Sequence, residues 1–201
     1  LVLGGGVVLG SVILIAGDPG IGKSTLLLQI ATELIDSGFD SVLAKDPRHV
    51  LYVSGEESAP QIRIRSDRLG ISGEHLFLLG ETNIESILNH LERKPPLALV
   101  IDSIQTLYSN EISSSPGSVA QVRECARRLI GWAKMHSTPV FLSGHVTKEG
   151  DVAGPRILEH MVDVVLYMEG EALGGLRLVR SFKNRFGSSH EVAIFQMEEH
   201  G

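Results

Sequence analysis

Cysteine is almost missing from this 201-residue chain: Cys125 stands alone, so neither an internal disulfide nor a cysteine-based zinc site can form. It lies in a stretch of helical periodicity and reads as a buried thiol. Positive charge is short as well. Eighteen Lys and Arg against 24 Asp and Glu leave a formal charge of −6, so no global field draws the chain to nucleic acid. Any such contact has to come from local loops or from an assembled ring. Long apolar runs are lacking too. The longest, Val7 to Ala16, is broken by Gly10 and Ser11 and falls well short of the roughly 20 residues that cross a bilayer, so no membrane partner is expected. The chain has no initiator Met and no basic leader, and reads as a piece excised from a longer protein.

What is present suffices for a fold. Hydrophobic residues make up 43% and charged residues 21%, enough for a buried sheet and too little charge for a disordered tail. The length fits one domain over residues 1–201. Short runs rich in Val, Ile and Leu at Val12 to Ala16, Val50 to Ser54, Leu76 to Leu79, Leu97 to Ile101, Val140 to Ser143 and Val164 to Met168 read as buried strands. Helical periodicity fills the intervals at Ser24 to Ser37, Pro60 to Leu69, Ile84 to Arg93 and Ser118 to His136. Strand and helix alternate, which predicts an α/β domain with a mostly parallel sheet covered on both faces. After Met168 the alternation stops: Leu176 to Phe182 and Glu191 to Met197 read as an antiparallel hairpin at one sheet edge. The segment Gly38 to His49 has no clear period and reads as an insertion or a short extra hairpin.

Gly17-Asp18-Pro19-Gly20-Ile21-Gly22-Lys23-Ser24 matches the phosphate-binding loop pattern, with a strand before it and a helix after it. Its glycines let successive N–H groups point inward, and the helix N-terminus adds partial positive charge where phosphate oxygens sit. The pattern assigns Lys23 to the β- and γ-phosphates of a nucleoside triphosphate and the Ser24 hydroxyl to magnesium, with Thr25 following in the helix. A glycine-rich turn without ligand would need neither Lys followed by Ser nor the glycine before them. ATP with Mg2+ is the expected cofactor.

The apolar strand ending at Asp102 supplies a carboxylate at the same sheet edge, as the expected outer-sphere or water-mediated partner of magnesium. Many buried strands end in Asp for turn reasons, so this signal gains its force from the loop. Hydrolysis also needs a group to orient or deprotonate water, and Glu56 and Glu57 follow directly on the strand Val50 to Ser54. Glu56 is the favoured base; the rival reading makes both carboxylates helix N-terminal residues stabilised by the helix dipole, and it is the preferred one for Glu57.

Four stretches together resemble one family: Gly17 to Thr25, Tyr52 to Ser58, Gly117 to Glu124, and Lys183-Asn184-Arg185-Phe186-Gly187. They are similar to the RadA (Sms) family of RecA-like branch-migration ATPases, found in bacteria and plant organelles. The resemblance implies a RecA-like core that assembles into a homohexameric ring and hydrolyses ATP between subunits. It also implies movement on single-stranded DNA during recombination and repair, alongside a recombinase of the RecA type. Full-length members carry a four-cysteine zinc module before this core and a Lon-protease-like domain after it. The implied location is cytoplasmic for a bacterial source and plastid or mitochondrion for a plant.

Under that resemblance Glu56 matches the catalytic glutamate. Lys183 and Arg185 reach the γ-phosphate held by the neighbouring subunit, as cations supplied in trans. The rival reading of that pair is a solvated hairpin tip. By analogy with RecA-like proteins His145 senses the γ-phosphate, while Lys148 and Arg156 in the loop after it contact the DNA backbone; the rival there is a mobile surface loop, favoured by its Glu149 and Asp151. Two other functions share this core: a replicative helicase of the DnaB type, and a KaiC-like ATP-dependent regulatory switch acting on proteins.

Overall fold

A computed structural model describes residues 3, 5–37, 49–146, 156–170 and 175–198. Residues 38–48 of the segment Gly38 to His49, and the loop candidate Lys148, lie outside the described residues. Strands β1 (Val12–Gly17), β2 (Val50–Ser54), β3 (Leu76–Leu79), β4 (Ala98–Asp102), β5 (Val140–His145), β6 (Val164–Gly170), β7 (Leu176–Asn184) and β8 (Val192–Gln196) form one sheet in the order β3-β2-β4-β5-β1-β6-β7-β8. The first six pair in parallel, while β7 runs antiparallel to β6 and β8 antiparallel to β7. The mostly parallel α/β sheet with an antiparallel edge hairpin is therefore as expected, with β7 reaching two residues further than its apolar pattern.

Helices α1 (Lys23–Asp36), α2 (Ala59–Arg68), α3 (Ile84–Arg93), α4 (Val119–His136) and the short α5 (Arg156–Glu159) cover the two faces. Alternation along β1 decides which. Ile13 and Ile15 pack with Leu27, Leu28 and Ala31 of α1 and Ile62 of α2, whereas Val12, Leu14 and Ala16 pack with Ile87 of α3 and Val122 and Leu129 of α4. Every β1 side chain is at most 1% exposed, and a fully buried Leu or Ile contributes about 2 kcal/mol.

Local chemistry sets the helix starts. Asn83 Oδ1 accepts from Ser86 N–H at 2.9 Å, Gln61 Oε1 accepts from Ser58 N–H at 2.8 Å, and Ser118 Oγ accepts from Gln121 N–H at 3.4 Å. The Gly117 to Glu124 motif is used in this way. Gln121, 2% exposed, donates through Nε2 to the carbonyls of Ser109, Ile112 and Ser114 and accepts from Ser109 N–H, so it fixes the connection leading into α4. Arg128 gathers Glu85, Glu111 and Glu124 on the same side.

Candidate nucleotide site

Parallel strands deliver their C-terminal residues to one edge, and four meet there: Gly17 of β1, Ser54 of β2, Asp102 of β4 and His145 of β5. The loop Gly17 to Ser24 curls at this edge because Gly20 and Gly22 take φ of 76° and 114°. Gly17 is required for a different reason, since a Cβ there would sit 2.5 Å from the Met168 carbonyl. Asp18, Pro19 and Gly20 are exposed, Ile21, Gly22, Ser24 and Thr25 half-buried, and Lys23 is 4% exposed.

The Lys23 ammonium donates to the carbonyls of Gly17 and Asp18, both at 2.9 Å, and lies 3.1 Å from His145 Nδ1. Burial lowers its pKa, opposed by the charges of Asp102, Glu56 and Asp18. An ammonium only donates, so His145 Nδ1 accepts and the ring N–H sits on Nε2. That N–H faces Glu56 Oε1 at 2.8 Å, and Ser103 Oγ–H donates to the same oxygen. The hydrogen bond from His145 does most to hold the Glu56 carboxyl at about 2, helped by Ser103 and by Lys23, against the opposing effect of burial. Glu56 is thus an ionised acceptor at neutral pH.

Glu57 has a different fate. Arg65 grips it with two hydrogen bonds, at 2.6 and 2.5 Å, and it precedes α2, so a guanidinium and not a helix dipole is its main partner. The residue before Glu56 and Glu57 has to be glycine, because a Cβ on Gly55 would meet Thr106 Oγ1 at 2.1 Å. Asp102, 5% exposed, accepts from Tyr52 and Ser143.

The donor set fits magnesium: a serine hydroxyl and a carboxylate are hard oxygen ligands, and magnesium binds through one or two of these plus phosphates and waters. Among the described residues no group of three or more His, Cys, Asp or Glu side chains could hold a metal ion. Beside the loop lies an open cleft between Thr25 and Gln29 of α1, Met168 of β6, and Arg177, Phe195 and Met197 of the hairpin. Arg177 Nε donates to the Ile21 carbonyl at 3.0 Å and so ties the hairpin to the phosphate loop.

Lys183 and Arg185 sit elsewhere. Lys183 Nζ donates to the carbonyls of Glu159 and Val162 at 2.7 and 2.8 Å, and Arg185 donates to Asp163 Oδ1 at 3.0 Å. Asp163 in turn accepts from Val12 N–H through Oδ2 at 3.0 Å. Val12 opens β1 and Gly17 closes it, so these cations stand about 17 Å of strand away from their own phosphate loop, at the opposite edge of the sheet. Lys183 lies within β7, one residue before its end, and is half-buried, not a freely solvated hairpin tip, while Arg185 is exposed. Arg156, exposed, opens α5.

Tyr52, Ser103, Ser143, Arg177 and the hairpin side of the cleft escaped the reading of the sequence. Ser103 carried the one available hint, standing next to Asp102; the others depend on pairings across the fold.

These features define a P-loop nucleotide-binding core, and the chain belongs to the AAA domain family, whose model matches residues 2–151. Over its whole length it is similar to proteins named DNA repair protein RadA: 54% identical over 200 residues to that of Bacillus subtilis (strain 168), 55% over 201 residues to that of Campylobacter jejuni, and 54% over 200 residues to that of Streptococcus pneumoniae. The resemblance drawn from the four motifs is borne out by these matches. The chain spans 42%, 43% and 45% of those relatives. Among the described residues no helix is long and apolar enough to cross a membrane.

Proposed function

We propose that this chain is the ATP-hydrolysing core of a DNA motor for recombination and repair. In this reading it works in a homohexameric ring, moves on single-stranded DNA and drives branch migration in concert with a recombinase of the RecA type. The observation that carries the ATPase reading is the convergence of Lys23, Glu56, Asp102 and His145, from one helix start, one loop and two strand ends, around a glycine-rich turn. Lys23 faces the β- and γ-phosphates, Ser24 and Asp102 hold magnesium, and the cleft beside Arg177 takes the base. Magnesium, when bound, neutralises phosphate charge.

Glu56 is placed to accept a proton of the attacking water. While His145 bonds it, Glu56 is a weak base and orients water better than it deprotonates it. A γ-phosphate drawing Lys23 away would loosen His145 in turn, which supports the sensor role for that side chain. Lys183 and Arg185 act in trans, a reading supported by their distance from their own loop. The DNA role is supported by relatives whose name is DNA repair protein, with Lys148 and Arg156 as backbone contacts.

The test is ATP turnover with and without single-stranded DNA, followed by branch-migration and forked-duplex assays. Stimulation by DNA with movement of a branched junction is expected. Unwinding confined to forked duplex would favour a DnaB-type helicase. Slow turnover indifferent to DNA would contradict the motor and favour a KaiC-like switch. Lys148→Ala and Arg156→Ala are expected to weaken DNA binding and its salt dependence while sparing nucleotide affinity.

A further inference from the structure

Both oxygens of Asp102 are engaged, and by neutral donors. Tyr52 Oη–H donates to Oδ2 at 2.6 Å and Ser143 Oγ–H donates to Oδ1 at 2.5 Å. The donors come from β2 and β5, the two strands that flank β4. Alternation puts all three side chains on the α1 face, where Tyr52, Val100 and Phe141 share one apolar cluster. Tyr52 is 1% exposed and Ser143 0%.

Two hydroxyls in an apolar layer have to find partners, and a Phe or Ala would fill those positions without that requirement. Two other carboxylates of this molecule show an alternative. Glu57 is gripped by Arg65, and Glu124 by Arg127 and Arg128, so a guanidinium neutralises each. Asp102 instead has no guanidinium bonded to it, and each oxygen retains a lone pair for a further donor. That is the arrangement a carboxylate needs when it serves a cation through the cation's water shell.

We propose that Tyr52 and Ser143 are positioning residues that clamp the Asp102 carboxylate for magnesium. The inference rests on the reading of Asp102 as the metal's carboxylate and adds the two residues that aim it. Neither touches nucleotide or metal. Their loss would leave the Asp102 carboxyl in place but free to rotate, so the cost falls on magnesium and not on the nucleotide itself.

The experiment titrates magnesium into the chain saturated with a fluorescent ATP analogue, with a parallel nucleotide titration in excess EDTA. Tyr52→Phe and Ser143→Ala should each raise the magnesium concentration for half-saturation by roughly 10- to 100-fold, the scale seen when a group that orients a metal's carboxylate is lost. Affinity for the analogue in EDTA should stay at the parent value, and Ser143→Thr, which restores a hydroxyl, should return magnesium binding towards it. Unchanged magnesium half-saturation in both Tyr52→Phe and Ser143→Ala would overturn the clamp. Should Tyr52→Phe fail to fold, the Ser143→Ala and Ser143→Thr pair decides. Asp102→Asn separates the two layers: if it leaves magnesium binding untouched, the metal role of Asp102 falls and the clamp falls with it.

Discussion

Lys23 and Lys183 are the same side chain placed at opposite ends of one sheet, and burial lowers the pKa of both. Their surroundings differ. Lys23 faces Asp102, Glu56 and Asp18 across a loop of inward-turned backbone, so its site carries several carboxylates around one cation. Lys183 closes off the end of α5 by binding two main-chain carbonyls, and Arg185 beside it is paired with Asp163. The first end is organised around charge that a triphosphate and magnesium complete. The second is satisfied within its own chain, so serving a neighbour costs it existing contacts. The comparison teaches that the phosphate loop is formed within one chain, whereas the proposed trans role of Lys183 and Arg185 requires a neighbouring subunit to offer something better than a carbonyl and an aspartate.

The sharpest way to break this contrast is Lys23→Ala. Removing two charge-assisted phosphate contacts should weaken ATP binding by roughly 10²- to 10⁴-fold and abolish turnover, read by calorimetry and phosphate release. Next, Lys183→Ala combined with Arg185→Ala should leave ATP affinity near the parent value and lower turnover by roughly 10³-fold, the scale of a cation supplied in trans. Mixing those subunits with Lys23→Ala subunits should restore part of the activity; no recovery would assign the pair to the purely structural role seen at the end of α5.

Glu56→Gln should bind ATP normally and lose roughly 10²-fold in turnover. The same residue carries a pH signature. Its folded pKa of about 2 lies below the ordinary value of 4.5, so its contribution to stability is present above 4.5 and is lost as pH falls through the folded value. Replacing His145 by Ala should move the Glu56 carboxyl up towards 4.5, visible by carbon-detected NMR. The smallest effect belongs to Arg177→Ala. Losing its bond to the Ile21 carbonyl should weaken ATP binding about fivefold, as one hydrogen bond of about 1 kcal/mol would.

Features written in local patterns were legible from the sequence. The glycine-lysine-serine loop, the strand ending at Asp102 and the apolar periodicity of α3 and α4 each lie within a few consecutive residues, and all were placed to within a residue or two. Glu56 was favoured over Glu57 from the sequence, but the physical difference between them appears only in the fold, where Arg65 binds Glu57 and His145 binds Glu56. Arg177 is 156 residues from Ile21, and Tyr52 is 50 from Asp102, so neither pairing leaves a local trace. The same holds for the position of Lys183 and Arg185: the pentapeptide was visible, but its place at the far edge follows from β7 running antiparallel to β6. Apolar periodicity reports burial of an element; it is silent on which polar groups the topology brings together.

Hydrogen exchange of backbone amides under saturating ATP and magnesium compares the two ends in one measurement. In the isolated subunit, the peptide covering Gly17 to Thr25 should slow strongly while that covering Lys183 to Gly187 keeps its rate, and the second should slow only when subunits are allowed to assemble. Unchanged exchange over Gly17 to Thr25 with nucleotide and metal in excess would contradict the account at its base.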